Sequence, residues 1–282
     1  MTTYAVTGAT GQLGSLAVAA LLDRGVAPAD LVAIVRDPNK AVDLRDRGIE
    51  IRVADYGDAD AVRTALEGVQ RLLLVSGSEI GSRVPQHATV IDAAKVAGVG
   101  LIAYTSILDA PNNGVALARE HVETERLLAA SGLDHIVLRN GWYSENYTAA
   151  LQSTIDGGVL YGAAGDGKVA LASRADYAAA AAAAIIDGTP RVYELAGDEH
   201  LTYADIAATI AEVSGRPVRY QDLPQAAYAE ALASNGIPAP INDVLADSDA
   251  AVARGEIDTD ATDLADLVGT TTPFREVVRA AL

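Results

Sequence analysis

Short apolar runs alternate with longer stretches of mixed polarity along most of the chain. The predicted strands cover residues 4–6, 31–35, 49–53, 71–75, 101–104, 135–138 and 191–195. The run over 31–35 is apolar at every position, which is typical of a strand buried on both faces of a parallel sheet. Helices are predicted between the strands, over 16–22, 84–97, 116–131 and from Ala175. Strands and helices therefore alternate, and this order predicts an α/β fold with a parallel sheet.

Three glycines, Gly8, Gly11 and Gly14, separate the first predicted strand from the first predicted helix. Gly8 allows a sharp turn, Gly11 leaves space for a ligand beside the backbone, and Gly14 lets helix and strand pack closely. Unpaired N–H groups at a helix start carry partial positive charge and bind phosphate. The pattern favours a Rossmann-type doubly wound sheet whose first turn binds a dinucleotide, although the Gly-x2-Gly-x2-Gly spacing is not the usual one. An ordinary glycine-rich turn is the alternative.

The ends of the second and fourth predicted strands indicate which dinucleotide binds. Arg36 follows the second strand, and Lys40 lies four residues further on. A basic residue here favours the 2′-phosphate of NADP, whereas an acidic residue favours NAD. NADP is therefore preferred, although Asp37 keeps NAD open and a solvated surface arginine is the simpler alternative. The small residues after the fourth strand, past which a cofactor can lie, are Ser76, Gly77 and Ser78.

Composition and charge restrict the remaining functions. The formal net charge is −17, which argues against nucleic-acid binding, because phosphate contacts need clustered Lys and Arg. The chain has no cysteine, which excludes disulfides, thiolate metal sites and a cysteine nucleophile. No apolar run approaches the roughly 20 residues of a membrane span, and no signal-peptide pattern precedes the first strand. We expect a soluble, cytoplasmic protein without a metal.

The most unusual stretch, residues 139–147, follows the sixth predicted strand and contains the single tryptophan, Trp142. Ligands of doubly wound sheets bind at the carboxyl ends of strands, which makes this stretch a candidate binding segment. Many short-chain dehydrogenases use a tyrosine whose pKa is lowered by a lysine four residues later. None of the eleven tyrosines has such a lysine. His121 and Glu125 share a helix face and could form a catalytic pair, but a solvated face is the simpler interpretation.

Five segments together resemble one family: 7–14, 55–58, 104–106, 139–147 and 162–168. They resemble the type 2 NAD(P)H:quinone oxidoreductases, which are atypical short-chain dehydrogenases of the NmrA-like group. Triphenylmethane reductases are also similar. The resemblance implies NADPH-dependent reduction of a quinone by direct hydride transfer, without flavin or metal, and it allows a homodimer. Two alternatives stay open: a non-catalytic NADP(H)-binding redox sensor, and a reductase of triarylmethane dyes.

The resemblance also implies roles for individual residues. The coenzyme would be bound by Gly8, Ala9, Thr10, Gly11, Gln12, Leu13, Arg36, Ser76, Gly77, Ser78, Asn140, Gly141, Trp142, Tyr143, Ser144 and Glu145. Asn146 and Tyr143 would donate hydrogen bonds to the quinone oxygens. A quinone accepts hydride readily, so stacked rings and donors to the carbonyl oxygen suffice without a tyrosine–lysine pair.

The regular alternation weakens after the seventh predicted strand. Thr202 is a predicted N-cap with Asp205 at the third helical position, and this helix should end at Gly215. Short helices follow, and Pro273 should lie in the first turn of the last one. We therefore predict an NADP-binding Rossmann domain, 1–142 plus about 175–197, and a smaller mixed lobe that covers the substrate, 143–174 plus 198–282.

Overall fold

The computed structural model describes residues 2–282. Its strands are β1 Tyr4–Thr7, β2 Leu31–Val35, β3 Glu50–Val53, β4 Arg71–Leu74, β5 Leu101–Ile107, β6 Asp134–Asn140, β7 Trp142–Tyr143, β8 Val159–Gly162, β9 Lys168–Ala172, β10 Val192–Leu195, β11 Glu199–Thr202 and β12 Arg219–Asp222. Its helices are α1 Gln12–Asp23, α2 Val42–Asp46, α3 Ala59–Ala65, α4 Arg83–Ala97, α5 Ala118–Ser131, α6 Glu145–Thr148, α7 Leu151–Gly157, α8 Arg174–Asp187, α9 Tyr203–Ser214, α10 Gln225–Ser234, α11 Ile241–Ala253, α12 Asp263–Val268 and α13 Phe274–Ala280. Short 3-10 turns, Pro28–Asp30 and Pro38–Ala41, flank β2.

The large sheet has seven strands in the order β10-β6-β5-β4-β1-β2-β3. The strands run parallel; Val6 of β1, for example, lies opposite Ala33 of β2 and Leu73 of β4. The order reverses between β1 and β4, and ligands of doubly wound sheets bind beyond the carboxyl ends of strands at such a reversal. The predicted Rossmann-type doubly wound parallel sheet is confirmed.

The chain forms two compact units. The first comprises the residues up to Ala110, Glu120–Asn140 and Arg174–Glu194, and the second comprises Pro111–Arg119, Gly141–Ser173 and Leu195–Leu282. The sequence-based division instead kept 111–119 with the coenzyme domain. That the second unit covers a substrate stays a prediction.

The core of the first unit lies between the large sheet and its helices. Leu72 and Leu74 of β4 pack in one buried cluster with Val62 of α3 and Val90 of α4. Successive side chains of a strand point to opposite faces. On the other side, α8 packs against α1 and contacts β4, β5 and β6. Alanines such as Ala178 are fully buried in α8, and their small size allows helix and sheet to approach closely.

The second unit has a mixed sheet of its own. Its three strands have the order β11-β9-β7, and a separate pair joins β12 to β8. Strand β9 runs antiparallel to β11 and parallel to β7, so the predicted mixed lobe is confirmed. In its core the ring centroid of Tyr147 lies 5.2 Å from that of Tyr203 and 6.1 Å from that of Phe274. Such edge-to-face ring pairs stabilise a core beyond the area they bury.

Local bounds differ from the predictions where long-range pairing or proline geometry decides them. β5 continues past its predicted end at 104 as far as Ile107, because it remains paired with β6 up to Asn140. Pro273 is the N-cap of α13 and does not lie in its first turn, since its ψ of 142° is extended. The predicted cap of α9 is confirmed: Thr202 Oγ1 accepts from the Asp205 N–H at 3.1 Å, and Asp205 Oδ2 accepts from the Thr202 N–H at 3.0 Å.

Candidate active site

The turn between β1 and α1 depends on glycine. Gly8 has a φ of +57°, in the left-handed region that side chains disfavour. Its carbonyl oxygen accepts a hydrogen bond from the Gly11 N–H at 2.8 Å. A Cβ at Gly14 would lie 2.2 Å from that same oxygen, so any side chain there would push helix and strand apart.

The start of α1 is suited to bind an anion. Gly11 is the N-cap and provides no side chain to accept from the first N–H groups, and the first turn contains no acidic residue. Gly8, Gly11 and Gln12 are exposed. Ala9 is buried and donates its N–H to the Ile34 carbonyl at 3.2 Å. The half-buried positions in this segment are Thr10 and Leu13. A diphosphate fits this glycine-lined helix start, where the helix dipole is positive.

Arg36 lies beyond the carboxyl end of β2 with an exposed guanidinium group. Its Nη1 is 2.9 Å from Oε1 of Glu79. Asp37, the residue that kept NAD open, caps the following 3-10 turn, where its Oδ1 accepts from the Asn39 N–H at 3.0 Å. The acidic side chain is therefore engaged locally, and Arg36 provides the cation that a 2′-phosphate would need.

The backbone of the β4–α4 loop, residues 75–82, forms hydrogen bonds with buried side chains of α4. Gly77 donates its N–H to Nε2 of His87 at 3.0 Å, and its carbonyl accepts from Nε of Arg83 at 2.7 Å. Arg83 is 5% exposed and His87 is fully buried. Among the predicted residues, Ser76 and Gly77 are half-buried and Ser78 is exposed. These residues thus lie at the end of β4, beside the β1 turn, on a firmly held backbone.

Side chains also join the neighbouring strand ends to one another. The Tyr56 hydroxyl lies 2.5 Å from Thr7 Oγ1 and 2.9 Å from the Val75 carbonyl oxygen. Val75 in turn donates its N–H to Thr7 Oγ1 at 3.0 Å. On the other side, Ser76 donates its N–H to Thr105 Oγ1 at 2.9 Å. The ends of β1, β4 and β5 therefore form one hydrogen-bonded edge.

His87 is a neutral acceptor within this edge. Because its Nε2 accepts from Gly77, its Nδ1 carries the proton and donates to Thr124 Oγ1, 3.0 Å away. Thr124 Oγ1 then donates to the Glu120 carbonyl at 2.9 Å. Burial, together with the charge of Arg83, lowers the pKa of His87 to about 3. The ring therefore stays uncharged at neutral pH.

The solvated-face interpretation of His121 and Glu125 is wrong. His121 is only 4% exposed, and its Nδ1 lies 2.7 Å from the hydroxyl of Tyr104 on β5. Burial holds the pKa of His121 well below its ordinary value. The same helix face carries Leu128, which is fully buried in the core of the first unit. That apolar contact turns this face of α5 toward the sheet.

Arg139 joins two carboxylates near the carboxyl ends of β5, β6 and β10. Its Nη2 and Nε lie 2.7 Å and 3.0 Å from the Glu125 carboxylate oxygens, and its Nη1 lies 2.7 Å from Glu194. Ser106 donates its hydroxyl to Oε1 of Glu125 at 2.6 Å. The bond to Glu125, and then that to Glu194, raise the pKa of Arg139 above its ordinary value. Glu125, on the helix where a tyrosine–lysine pair would be expected, thus belongs to an ion cluster with Arg139 of β6 and Glu194 of β10.

The segment after β6 belongs largely to the second unit. Asn140, the last residue of β6, is buried. Trp142 packs against the apolar core of the second unit, and Tyr143 pairs with Ala172 of β9. Ser144 donates its N–H to the Ala172 carbonyl at 2.9 Å. Its Oγ is buried without a hydrogen-bond partner among residues 2–282. Burial elsewhere in the segment is as follows: Gly141 is buried, Glu145 is half-buried and Asn146 is exposed.

The structure brings part of the predicted site together. The β1 turn, Arg36 and Ser76–Ser78 lie at adjacent strand ends of the first unit, whereas Tyr143 and Asn146 are in the second. Sequence reasoning missed Glu79, which is 43 residues from its partner Arg36. It also missed His87. No local pattern marks such contacts, because they depend on which strand ends are neighbours.

Two classes of feature are absent from the described part of the chain. Within residues 2–282, no helix has the length and apolar character needed to cross a membrane. The same residues contain no cluster of three or more His, Cys, Asp or Glu side chains that could hold a metal ion.

Comparison with known proteins identifies the family. A family model described as NAD(P)H-binding matches residues 8–187. Quinone oxidoreductase 2 of Escherichia coli (strain K12) is 51% identical over 267 residues, which are 94% of this chain and 93% of that protein. The chain belongs to the quinone oxidoreductase 2 family. The family predicted from segments such as 139–147 is therefore confirmed.

Solved structures of the quinone oxidoreductase 2 family and its neighbours share the whole fold. The E. coli NADPH-dependent quinone oxidoreductase, crystallised in complex with NADPH, has a TM-score of 0.96 at 50% identity and covers 99% of both chains. Triphenylmethane reductase from Citrobacter sp., complexed with NADP(H), has a TM-score of 0.94 at 33% identity. That match covers 99% of this chain and 100% of the other. The predicted similarity to triphenylmethane reductases is also confirmed.

Proposed function

We propose that this protein is an NADPH-dependent oxidoreductase that reduces quinones by direct hydride transfer, without a flavin or a metal. The start of α1 carries the proposal. Its N-cap, Gly11, provides no side-chain acceptor for the polarised helix end at the point where the strand order reverses, in a chain that is 51% identical to quinone oxidoreductase 2.

Binding of NADPH by the first unit follows from the strand ends. The N–H groups at the start of α1 bind the diphosphate, because the N-cap, Gly11, has no side chain to accept from them. Arg36 binds the 2′-phosphate, and Ser76–Ser78 lie along the coenzyme beyond β4. The segment 140–145 provides further coenzyme contacts in this proposal, and it contains the Ser144 hydroxyl, which is buried without a hydrogen-bond partner among residues 2–282.

The bound coenzyme supplies a hydride, and reduction of a quinone to a hydroquinone takes that hydride and one proton. The hydroquinone anion is far less basic than an alkoxide, so no strong acid is needed at the carbonyl oxygen. Tyr143 and Asn146 donate hydrogen bonds to the quinone oxygens, where charge develops during transfer, and water supplies the proton. Proton supply by water therefore removes the need for a tyrosine with a lysine four residues later, which the chain lacks.

Initial rates test the proposal directly. NADPH oxidation is followed with a panel of simple benzoquinones and naphthoquinones, using purified protein without added flavin or metal and after treatment with a chelator. We expect steady turnover, faster with NADPH than with NADH. Turnover that requires flavin would contradict direct hydride transfer. Coenzyme binding without turnover of any acceptor would favour a redox sensor instead.

A triarylmethane dye is a second candidate acceptor. It is favoured by the 33% identity and TM-score of 0.94 with the Citrobacter sp. triphenylmethane reductase. Such dyes are conjugated cations that accept hydride at carbon and need no proton donor. Decolorisation rates in the same assay decide between the acceptors. Sedimentation of the purified protein tests whether it forms the homodimer that the resemblance allows.

A further inference from the structure

Arg36, on which the coenzyme preference depends, already has an anionic partner. Its Nη1 lies 2.9 Å from Oε1 of Glu79, and the two side chains are 65% and 49% exposed. An exposed ion pair of this kind contributes little to stability, because water competes for both groups. Stabilisation of the fold therefore does not explain why a glutamate stands at position 79, next to Arg36.

The position of Glu79 is nevertheless fixed by its surroundings. Its second carboxylate oxygen, Oε2, accepts a hydrogen bond from Nε2 of Gln86 at 2.8 Å. The backbone around it is anchored as well, since Gly81 donates its N–H to Oε1 of Glu120 at 2.9 Å. Glu120 is itself paired with the buried Arg83 at 3.0 Å. The negative charge of Glu79 therefore stays close to Arg36 even if their direct contact breaks.

We propose that Glu79 tunes the coenzyme preference by competing with the 2′-phosphate of NADPH for Arg36. This inference rests on the proposed function, in which Arg36 binds that phosphate. A 2′-phosphate brings up to two negative charges to the guanidinium group that Glu79 already neutralises. It must displace the carboxylate or share the cation with it, and the two anions repel each other in either case. NADH carries a hydroxyl at this position and meets neither penalty.

Glutamine at position 79 isolates this effect, because Glu79→Gln removes the charge and keeps the shape. We expect Glu79→Gln to bind NADPH and adenosine 2′,5′-bisphosphate about three- to tenfold more tightly, as is typical when one nearby like charge is removed near the surface. NADH and 5′-AMP should change by less than about twofold. The gain should shrink as the salt concentration rises from about 0.05 M to about 0.5 M, because exposed charges are screened.

The matched control is Glu123→Gln. It removes the same charge from another exposed Arg–Glu pair of the first unit, that of Glu123 with Arg126, and so corrects for the change in net charge. Fluorescence or calorimetric titration gives the dissociation constants. We expect this control to leave the affinity for all four ligands unchanged.

Arg36→Ala separates failure of this inference from failure of the proposed function. If Arg36→Ala leaves the NADPH-to-NADH affinity ratio unchanged, the proposed role of Arg36 itself is wrong. If that variant loses the preference while Glu79→Gln binds NADPH no more tightly than wild type, only the competition is wrong. Weaker NADPH binding by Glu79→Gln would mean that Glu79 holds Arg36 in place instead. In the double variant Arg36→Ala/Glu79→Gln, the gain in NADPH affinity caused by Glu79→Gln should be at most half of the gain seen when Arg36 is present.

Discussion

At Gly14 a single methyl group decides whether α1 can begin where it does. An added Cβ would lie 2.2 Å from the Gly8 carbonyl oxygen, whereas a Cβ at Gly11 would lie 3.1 Å from it. We expect Gly14→Ala to weaken NADPH binding by more than about tenfold and to lower the melting temperature by several degrees, because overpacking distorts the turn. Gly11→Ala, the graded control, should have a smaller effect. Unaltered NADPH binding by Gly14→Ala in a fluorescence titration would contradict this expectation.

A second residue-scale prediction concerns Asp249, a buried carboxylate of the second unit. It accepts from the Tyr203 hydroxyl at 2.6 Å and from the Ala163 N–H at 3.0 Å, yet burial raises its pKa to about 6. The folded state therefore holds a proton that the unfolded chain, with an aspartate pKa of about 3.9, has lost. This contribution lowers the free energy of unfolding by about 2 kcal/mol as the pH rises from 4 to 6.

Urea denaturation of Asp249→Asn and wild type at several pH values measures that contribution. Asparagine does not titrate, so the stability difference between the two proteins should change with pH in favour of the variant as the pH rises from about 4 to about 7. The acidic Asp222, which also raises the pKa of Asp249, is present in both proteins and cancels. A pH-independent difference would show that Asp249 has an ordinary pKa.

Among the helices and strands, the features that depend on nearby sequence were predictable. The orientation of a helix that depends on contacts distant in sequence was not. The strand over 31–35 was predictable because each of its side chains is apolar, and it is buried at every position. The orientation of α5 was not, because His121 is a polar residue whose burial depends on Tyr104, 17 residues away. Arg36 could be inferred from its place after β2, but Glu79 required the spatial order of the strands. The local pattern of apolar residues therefore determined where strands and helices form. Contacts between residues distant in sequence determined which polar face of a helix was buried.

The end of α8 provides a prediction at the scale of one element. Nη1 of Arg71 lies 2.5 Å from the carbonyl oxygens of Ile185 and Ile186, in the last turn of that helix. A cation at a helix carboxyl end satisfies free carbonyls and opposes the negative end of the dipole. We expect Arg71→Met to lower the free energy of unfolding by about 1–2 kcal/mol in urea.

The control for Arg71 is Arg63→Met, which removes an exposed arginine paired with Asp60 of its own helix. Its effect should stay below about 0.5 kcal/mol, as is usual for surface pairs. Equal effects of the two substitutions would contradict a special role for Arg71 at the end of α8.

In the molecule as a whole, each of the two units is assembled from several separate stretches of the chain. The chain leaves the first unit after Ala110, Asn140 and Glu194, and returns at Glu120 and Arg174. No sequence pattern indicated that residues 111–119 belong to the second unit. Their place there depends on contacts distant in sequence, such as the hydrogen bond from the Ala116 N–H to Asp247 at 2.7 Å. Neither unit is therefore one continuous piece of sequence.

Truncation tests how far the second unit depends on its last segment. Removing residues 198–282 takes away β11, the antiparallel partner of β9, and core side chains such as Tyr203 and Phe274. The remaining segment 141–173 would expose apolar surface that cannot be buried otherwise. We expect the shortened chain to aggregate or to bind a hydrophobic dye strongly, in contrast to the full chain. A monomeric shortened protein without dye binding would contradict this dependence.

The uncharged ring of His87 has a consequence for how catalysis should respond to acid. Since its pKa is about 3, the Gly77 amide keeps its acceptor throughout the pH range in which enzymes are usually assayed. An acid limb near pH 6 in kcat/KM therefore arises elsewhere. If it occurs with NADPH and not with NADH, it reports protonation of the 2′-phosphate, whose second pKa is about 6. A limb shared by both coenzymes would instead report a titrating group of the protein or of the quinone reaction.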